Sequence, residues 1–249
     1  MRRLPSTLSP TSIALYEQCP KKFEYSKIDK ILEPVTVQML LGTFTHAVLE
    51  DLMQLPPSKR NKQEAKQIAT VKWETFATSK EFLSLDIPSK VFKVDIWRFI
   101  EGYFALENPF NVNVISTEQK IRVNLGDVPI YGVIDRLEKK NNKIVVTDYK
   151  TGKVPYGQYK NVAFGQLFIY AAALAENNTV VDKIQLLYIG GNSTTTASVT
   201  KVELDKIHQR VKTTWDNIQN DFKTEFLTKK SKLCDWCSYK SICPAWNNT

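Results

Sequence analysis

The segment Ile130–Lys150 constrains the fold of this chain more than any other part of its sequence. It reads as two β-strands with a period of two, joined by Asn141-Asn142, a pair that tolerates the positive φ angles of a two-residue hairpin turn. Asp135 lies six residues before this turn and Asp148 lies six residues after it. The hairpin therefore places these two carboxylates opposite each other, with Cβ atoms about 4.5–5.5 Å apart.

Two carboxylates in this position repel each other, and a divalent cation between them would remove the repulsion. Lys150 follows Asp148 by two residues, so both side chains lie on one face of the strand. Three solvated surface charges are the alternative, although Ile144 and Val146 make this face apolar. The pattern favours a site where metal ions on Asp135 and Asp148 activate water for phosphodiester hydrolysis. Lys150 would orient that water, stabilise negative charge or form a salt bridge.

Helical periodicity dominates the first hundred residues, and strands begin near residue 112. Helices are predicted at Ser9–Cys19, Val37–Leu55, Lys62–Ser79, Lys90–Leu106, Val162–Glu176 and Leu204–Phe226. Strands are predicted at Val112–Glu118, Lys120–Leu125, Ile130–Glu138, Lys143–Lys150, Lys183–Ile189 and Thr196–Val202. This order of elements predicts an α/β architecture.

Four short motifs in this chain resemble those of RecB-like PD-(D/E)XK nucleases. Gly132–Arg136 and Asp148–Gly152 resemble the two halves of the nuclease motif. Gly42–His46 resembles the helix that supplies a histidine ligand, and Gln166–Tyr170 resembles a Q-x-x-x-Y motif. The resemblance extends from Leu8 to Pro244, and its weight comes from the order of the four motifs.

The resemblance implies a role for each matching residue. It implies a catalytic group of Asp135, Asp148 and Lys150. It implies a site for Mg²⁺ or Mn²⁺ with the ligands His46, Asp135, Asp148 and Tyr149. It implies DNA contacts through Gln166 and Tyr170, which share one helix face. Similar enzymes sometimes carry an acid at the position of Glu118, for which a solvated strand end is the favoured interpretation.

The same resemblance predicts the fold and its division. We expect one nuclease domain over residues 1–249, with a restriction-endonuclease-like core whose mixed sheet is flanked by helices. Residues 1–110 would form a mostly helical N-terminal part and residues 111–226 the nuclease core. Residues 227–249 would form a cysteine-rich tail that pairs with Cys19.

Three of the four cysteines lie close together in the tail. Cys234, Cys237 and Cys243 follow a C-x₂-C-x₅-C pattern, and Cys19 lies 215 residues before the first of them. No secretory signal precedes them, so disulfides are not expected. Four thiolates suit zinc or an iron–sulfur cluster, and the pattern alone leaves both open. One early and three late cysteines resemble the AddB-type and CRISPR-associated exonuclease families, which implies a [4Fe–4S] cluster.

The composition favours a polyanionic partner. The formal net charge is +8 and the sequence pI is about 9.2, which suits phosphate contacts. Candidate contacts to DNA in and around the motifs are Lys21, Lys22, Lys153, Lys160, Tyr156 and Tyr159. No run of about 20 apolar residues is present, so no membrane association is expected. We expect a cytoplasmic protein.

These observations predict a metal-dependent exonuclease that acts on DNA ends, with single-stranded DNA as the expected substrate. Recombination, repair and CRISPR-type DNA processing all stay open, as does a helicase or recombination partner. One alternative is a DNA-binding scaffold subunit with an inactive nuclease site. Another is a zinc-stabilised structural module of a recombination complex.

Overall fold

The computed structural model describes residues 2–155 and 159–246, and only the backbone of residues 159–163. Tyr156 and the side chains of Tyr159 and Lys160 therefore lie outside the described part. The α-helices are α1 (Pro10–Gln18), α2 (Pro20–Phe23), α3 (Val37–Gln54), α4 (Lys62–Phe76), α5 (Lys80–Leu83), α6 (Ser89–Leu106), α7 (Tyr159–Glu176) and α8 (Lys201–Lys223). The strands are β1 (Val114–Leu125), β2 (Val128–Lys140), β3 (Lys143–Lys150), β4 (Lys183–Tyr188) and β5 (Ser193–Ser198).

The five strands form one mixed sheet in the order β1-β2-β3-β4-β5. The β3–β4 pair is parallel, and α7 makes the crossover between these strands. The other three pairs are antiparallel. This arrangement confirms the predicted mixed sheet flanked by helices.

The β2–β3 hairpin has the predicted turn. Lys140 pairs with Lys143 across it. Asn141 and Asn142 both have positive φ angles, of 51° and 62°. Asparagine adopts this conformation more readily than most residues, because its short side chain bonds locally. The local sequence therefore sets the register of the two strands that carry the candidate carboxylates.

Three of the predicted strands were wrong in their bounds. The segments Val112–Glu118 and Lys120–Leu125 form the single strand β1, which continues through a local kink at Glu118. The strand predicted at Thr196–Val202 is β5, which ends at Ser198, and Val202 belongs to α8. The sequence of β5, Ser-Thr-Thr-Thr-Ala-Ser, has little apolar alternation because β5 is an edge strand.

An apolar core lies on each face of the sheet. Along β4, Ile184 and Leu186 belong to one core and Leu187 to the other, as the alternation of a strand requires. Helices α1, α7 and α8 cover the first face, and α3, α4 and α6 cover the second. Because both faces are covered, β3 and β4 are buried almost throughout, including the polar residues Thr147, Asp148 and Gln185.

None of the described helices meets the length and apolarity that a membrane crossing requires.

Candidate active site

The two predicted carboxylates lie where strands β2 and β3 separate. Backbone pairing between these strands ends at Arg136 and Thr147, one residue short of Asp135 and Asp148. Beyond that point the N–H of Tyr149 donates to Asp135 Oδ2 at 2.9 Å. A side chain thus takes the place of the next backbone hydrogen bond, and the sheet opens at the predicted site.

The apolar alternation of β2 changes phase at Asp135. Ile134 and Leu137 pack in the same core although they are three residues apart. A regular strand would send these two side chains to opposite faces. The irregularity explains why Asp135 extends between the strands rather than into either core.

Glu118 completes the group from the neighbouring strand β1. The residues that flank Glu118 pair with those that flank Asp135, so the two acids lie opposite each other. Glu118 has a φ of 44°, a strained conformation for a residue other than glycine. Ligand atoms of His46, Glu118 and Asp135 lie within 4.8 Å of one another. Burial, then the nearby charge of Asp135, raises the pKa of Glu118. Glu118 is half-buried and lies within β1 rather than at its end, so the interpretation as a solvated strand end was wrong.

His46 reaches the site from α3. Its Nε2 lies 2.9 Å from the carbonyl oxygen of Tyr149, and its Nδ1 lies 3.4 Å from Asp135 Oδ2. Phe44 and Val48 anchor the same helix in the core. The structure therefore places the predicted histidine, Asp135 and the backbone oxygen of Tyr149 at one point.

Asp148 and Lys150 form an ion pair beside this group. Asp148 is 3% exposed, and Lys150 Nζ lies 2.8 Å from its Oδ2. Burial raises the pKa of Asp148 to about 6, and the charge of Lys150 opposes that shift. Burial alone would lower the pKa of Lys150, but Asp148 outweighs it and the pKa is raised. The lysine is therefore protonated at neutral pH.

The Asp148 carboxylate lacks a well-directed partner. Its Oδ2 is buried, and no donor of the described residues reaches it in hydrogen-bond geometry, although the ammonium of Lys150 is close enough for an ion pair. An ion pair without a directed hydrogen bond leaves part of the desolvation cost of this oxygen uncompensated. The site also offers carboxylate oxygens, an imidazole and a backbone carbonyl, which are donors that Mg²⁺ and Mn²⁺ accept. The residues present fit a divalent ion.

A buried ion network lies on the other face of the sheet, behind the carboxylates. Arg136 is 0% exposed. Its Nη2 lies 3.1 Å from Glu107 Oε2 and 3.0 Å from Glu138 Oε2, and its Nη1 donates to Tyr149 Oη at 2.8 Å. Burial opposes the charge, but Tyr149 and the two glutamates outweigh it and raise the pKa of Arg136. No role was predicted for Arg136, because nothing in a strand motif signals the burial of an arginine.

Gln166 and Tyr170 lie together on α7. Gln166 Nε2 donates to Tyr170 Oη at 3.2 Å. The ring of Tyr170 packs directly on β2, and a Cβ atom at Gly132 would lie 2.4 Å from its Cε1. Only glycine permits this close approach of the ring, which explains why residue 132, three positions before Asp135, is a glycine. The contact of Gln166 and Tyr170 with DNA stays a prediction.

The structure brings the four cysteines to one cavity. Its lining includes Cys19, Cys234, Cys237 and Cys243. It also includes Lys21, Lys22, Lys229, Lys230 and Lys240, and none of the described acidic residues. Phe226 packs against Tyr16 and Phe23, so the tail is anchored beside α1. The pairing of the tail with Cys19 through a shared cluster stays a prediction.

Comparison with known proteins places these features in a family. The family model described as the PD-(D/E)XK nuclease superfamily matches residues 7–244. An uncharacterized protein of Rickettsia felis is 30% identical over 213 residues, which cover 74% of this chain and 24% of that protein. An uncharacterized protein of Rickettsia typhi is 30% identical over 195 residues, which cover 70% of this chain and 22% of that protein. The chain spans about a quarter of the length of the curated relatives it matches.

A solved structure shares the fold. The crystal structure of "Putative exonuclease" from Eubacterium rectale has a TM-score of 0.52 to this chain at 13% sequence identity. The likeness covers 94% of this chain and 87% of that one. The family match extends over nearly all of the sequence, and the mixed sheet opens at its two motif carboxylates. The chain belongs to the PD-(D/E)XK nuclease superfamily.

Proposed function

We propose that this chain is a divalent-metal-dependent exonuclease that hydrolyses phosphodiester bonds at DNA ends. The observation that carries the proposal is the convergence of His46, Glu118, Asp135, Asp148 and Lys150 where two strands separate. Membership of the superfamily supports nuclease activity. Action on free, single-stranded ends rests on the resemblance to RecB-like exonucleases. The Eubacterium rectale protein is described as an exonuclease, which is consistent with action on DNA ends and says nothing of strandedness.

The residues divide the chemistry among them. His46, Asp135, Asp148 and the carbonyl of Tyr149 would hold a divalent ion, which supplies Lewis-acid stabilisation of the phosphate and activation of water. Glu118 adds a further carboxylate at the same point. Lys150 is protonated and offers positive charge to the negative charge that develops on the phosphate.

A cleavage assay on defined ends tests the function. Linear single strands, linear duplexes and circles of the same sequence are incubated with Mg²⁺ or Mn²⁺. We expect linear strands to shorten progressively and circles to persist, because an exonuclease needs an end. Chelator and Asp135→Asn should each abolish shortening, because both remove the bound ion, whereas the exposed change Asp205→Asn should not.

Two outcomes would count against the proposal. Cleavage of circles at a similar rate would indicate an endonuclease. A folded protein that binds DNA and leaves every substrate intact would favour the scaffold alternative. The distinction also bears on partners, since relatives about four times as long leave room for helicase or recombination segments.

We further propose that Cys19, Cys234, Cys237 and Cys243 hold a [4Fe–4S] cluster. The four thiols share one cavity with five lysines, whose positive charge would stabilise thiolates and an anionic cluster. The order of the four cysteines, one early and three late, favours this cluster over the zinc alternative through the resemblance to the AddB-type and CRISPR-associated exonuclease families.

Purification without oxygen tests the cluster. We expect a brown protein with iron and sulfide, and Cys237→Ser should lose both. The variant should also lose on the order of 3 kcal/mol of stability, because a cluster that joins Cys19 to the tail closes a loop of more than 200 residues. Thr228→Ala, which lines the same cavity without a thiol, is the matched control. A colourless wild type that contains zinc would contradict the proposal.

A further inference from the structure

We propose that a basic groove between α4 and α6 binds the single-stranded nucleic acid that connects to the metal site, an inference that rests on the proposed nuclease function. The groove is formed by Lys66, Trp73, Lys90, Lys93, Trp97 and Arg98. It consists of two adjoining depressions, and Lys93 and Trp97 line both of them. We call it the α4–α6 groove.

Positive charge predominates at the α4–α6 groove. Its three lysines are exposed, and the side chain of Arg98 is 71% exposed. Among the described residues, Glu101 is the only acidic residue that lines the groove, and its Oε1 lies 4.0 Å from Lys62 Nζ. Asp95 pairs with Arg98 at 3.4 Å. The excess of cations favours phosphates over an ordinary protein surface as the occupant.

The same groove carries aromatic and apolar surface. Lys93 Nζ lies 4.6 Å from the ring centroid of Trp73. Trp97 is half-buried, and the neighbouring Val94 is 62% exposed. Proteins that bind single strands combine a basic groove with aromatic rings on which bases stack, at about 1–3 kcal/mol per base. Lysines around a tryptophan therefore match a single strand better than a duplex, whose bases are covered.

The groove lies next to the metal site along α6. Phe99, beside Arg98, packs on the turn Ile189–Gly191: a Cβ atom at Gly190 would lie 3.1 Å from Phe99 Cε1. The same Cβ would lie 1.9 Å from the carbonyl oxygen of Thr151, the residue after Lys150. Helix α6 thus passes close to the residue after Lys150, with the buried Phe99 on its inner face and the groove residues on its outer face. From there the groove extends along about two turns of the helix, roughly 12 Å.

Binding measured without cleavage tests the inference. The affinity for a single strand of about 20 nucleotides, longer than one such site, is measured in chelator over a range of salt concentrations. The groove variant is Lys90→Ala/Lys93→Ala/Arg98→Ala. Its matched control is Lys139→Ala/Lys140→Ala/Lys143→Ala, which removes three exposed lysines at the hairpin tip. The groove variant should bind about 10- to 100-fold more weakly near 0.1 M salt, and its salt slope should fall by about 2.

The possible outcomes test nucleic-acid binding by the groove separately from nuclease activity. Loss of affinity and slope in the groove variant alone supports the inference. Equal loss in both variants would overturn it, because general charge would then explain the binding. Unchanged binding would also overturn it and leave the groove to a protein partner. Cleavage by the wild type with Mg²⁺, measured in parallel, tests the proposed nuclease function independently of either result.

Discussion

Asp148→Asn is expected to abolish DNA cleavage and at the same time to stabilise the metal-free protein at pH 8. The amide keeps the shape of the side chain but is a poor ligand for a divalent ion. Removal of one group that stabilises transition-state charge costs about 10²–10³ in rate, so loss of this ligand should cost at least about 10³. The cleavage assay on linear single strands measures this effect.

The gain in stability follows from the raised pKa of Asp148. Burial raises that pKa from 3.8 to about 6 in the folded chain, so the folded state binds the proton more tightly than the unfolded state. Protonation of Asp148 therefore contributes to the free energy of unfolding: the contribution is complete below about pH 3.8 and is lost as pH rises through about 6. The charged carboxylate then costs about 3 kcal/mol. Because Asn also removes the ion pair of Lys150, we expect a net gain of about 1–2 kcal/mol.

Urea denaturation at pH 5 and pH 8 measures this change, with Asp205→Asn as the exposed control. The stability of the wild type should fall more steeply between these pH values than that of Asp148→Asn. Addition of Mn²⁺ should stabilise the wild type and leave the variant unchanged, because bound ligands stabilise the folded state. A variant that is less stable than the wild type at pH 8 would contradict the prediction, because the ion pair with Lys150 would then outweigh the desolvation cost of the carboxylate.

Arg136→Met should destabilise the fold by about 3–5 kcal/mol. Methionine has a similar length, but it leaves Glu107 and Glu138 buried without their cation, and breaking a buried ion pair on one side has this cost. Tyr149 would also lose the hydrogen bond that Arg136 donates to its hydroxyl. Because the backbone of Tyr149 contacts Asp135 and His46, this loss would disturb the metal site. We therefore also expect weaker Mn²⁺ binding, measured by calorimetry alongside urea denaturation.

The triple variant Arg136→Met/Glu107→Gln/Glu138→Gln provides the control. Neutral amides remove the unpaired charges, so it should recover most of the lost stability. If the single variant loses less than about 1 kcal/mol, the network does not hold the sheet together. If the triple variant is as unstable as the single one, packing rather than charge accounts for the loss.

Much of the site followed from short-range sequence signals. The Asn141-Asn142 turn sets the β2–β3 register, and Lys150 follows Asp148 on one strand face. The same argument could have found Glu118, which lies eight residues before the Gly126-Asp127 turn, as Asp135 lies eight residues after it. Glu118 was instead interpreted as a solvated strand end, because β1 was divided into two predicted strands.

The edge strand β5 and the start of α8 were less predictable. Ser193–Ser198 has no apolar pattern, since an edge strand is held by backbone pairing with β4 rather than by burial of its side chains. The helix α8 begins at Lys201 with Thr200 as its N-cap, three residues before the predicted start. An apolar pattern detects the buried stripe of a helix and not its polar first turn.

The sequence by itself determined the hairpin, the position of Lys150 beside Asp148 on one strand and the grouping of three cysteines, because turns and strand periods depend on neighbouring residues. Only the tertiary structure decided the opening of β2 from β3, the strained backbone of Glu118 and the burial of Arg136 against Glu107. These features depend on which distant elements pack together, because that packing determines how far each side chain is removed from water.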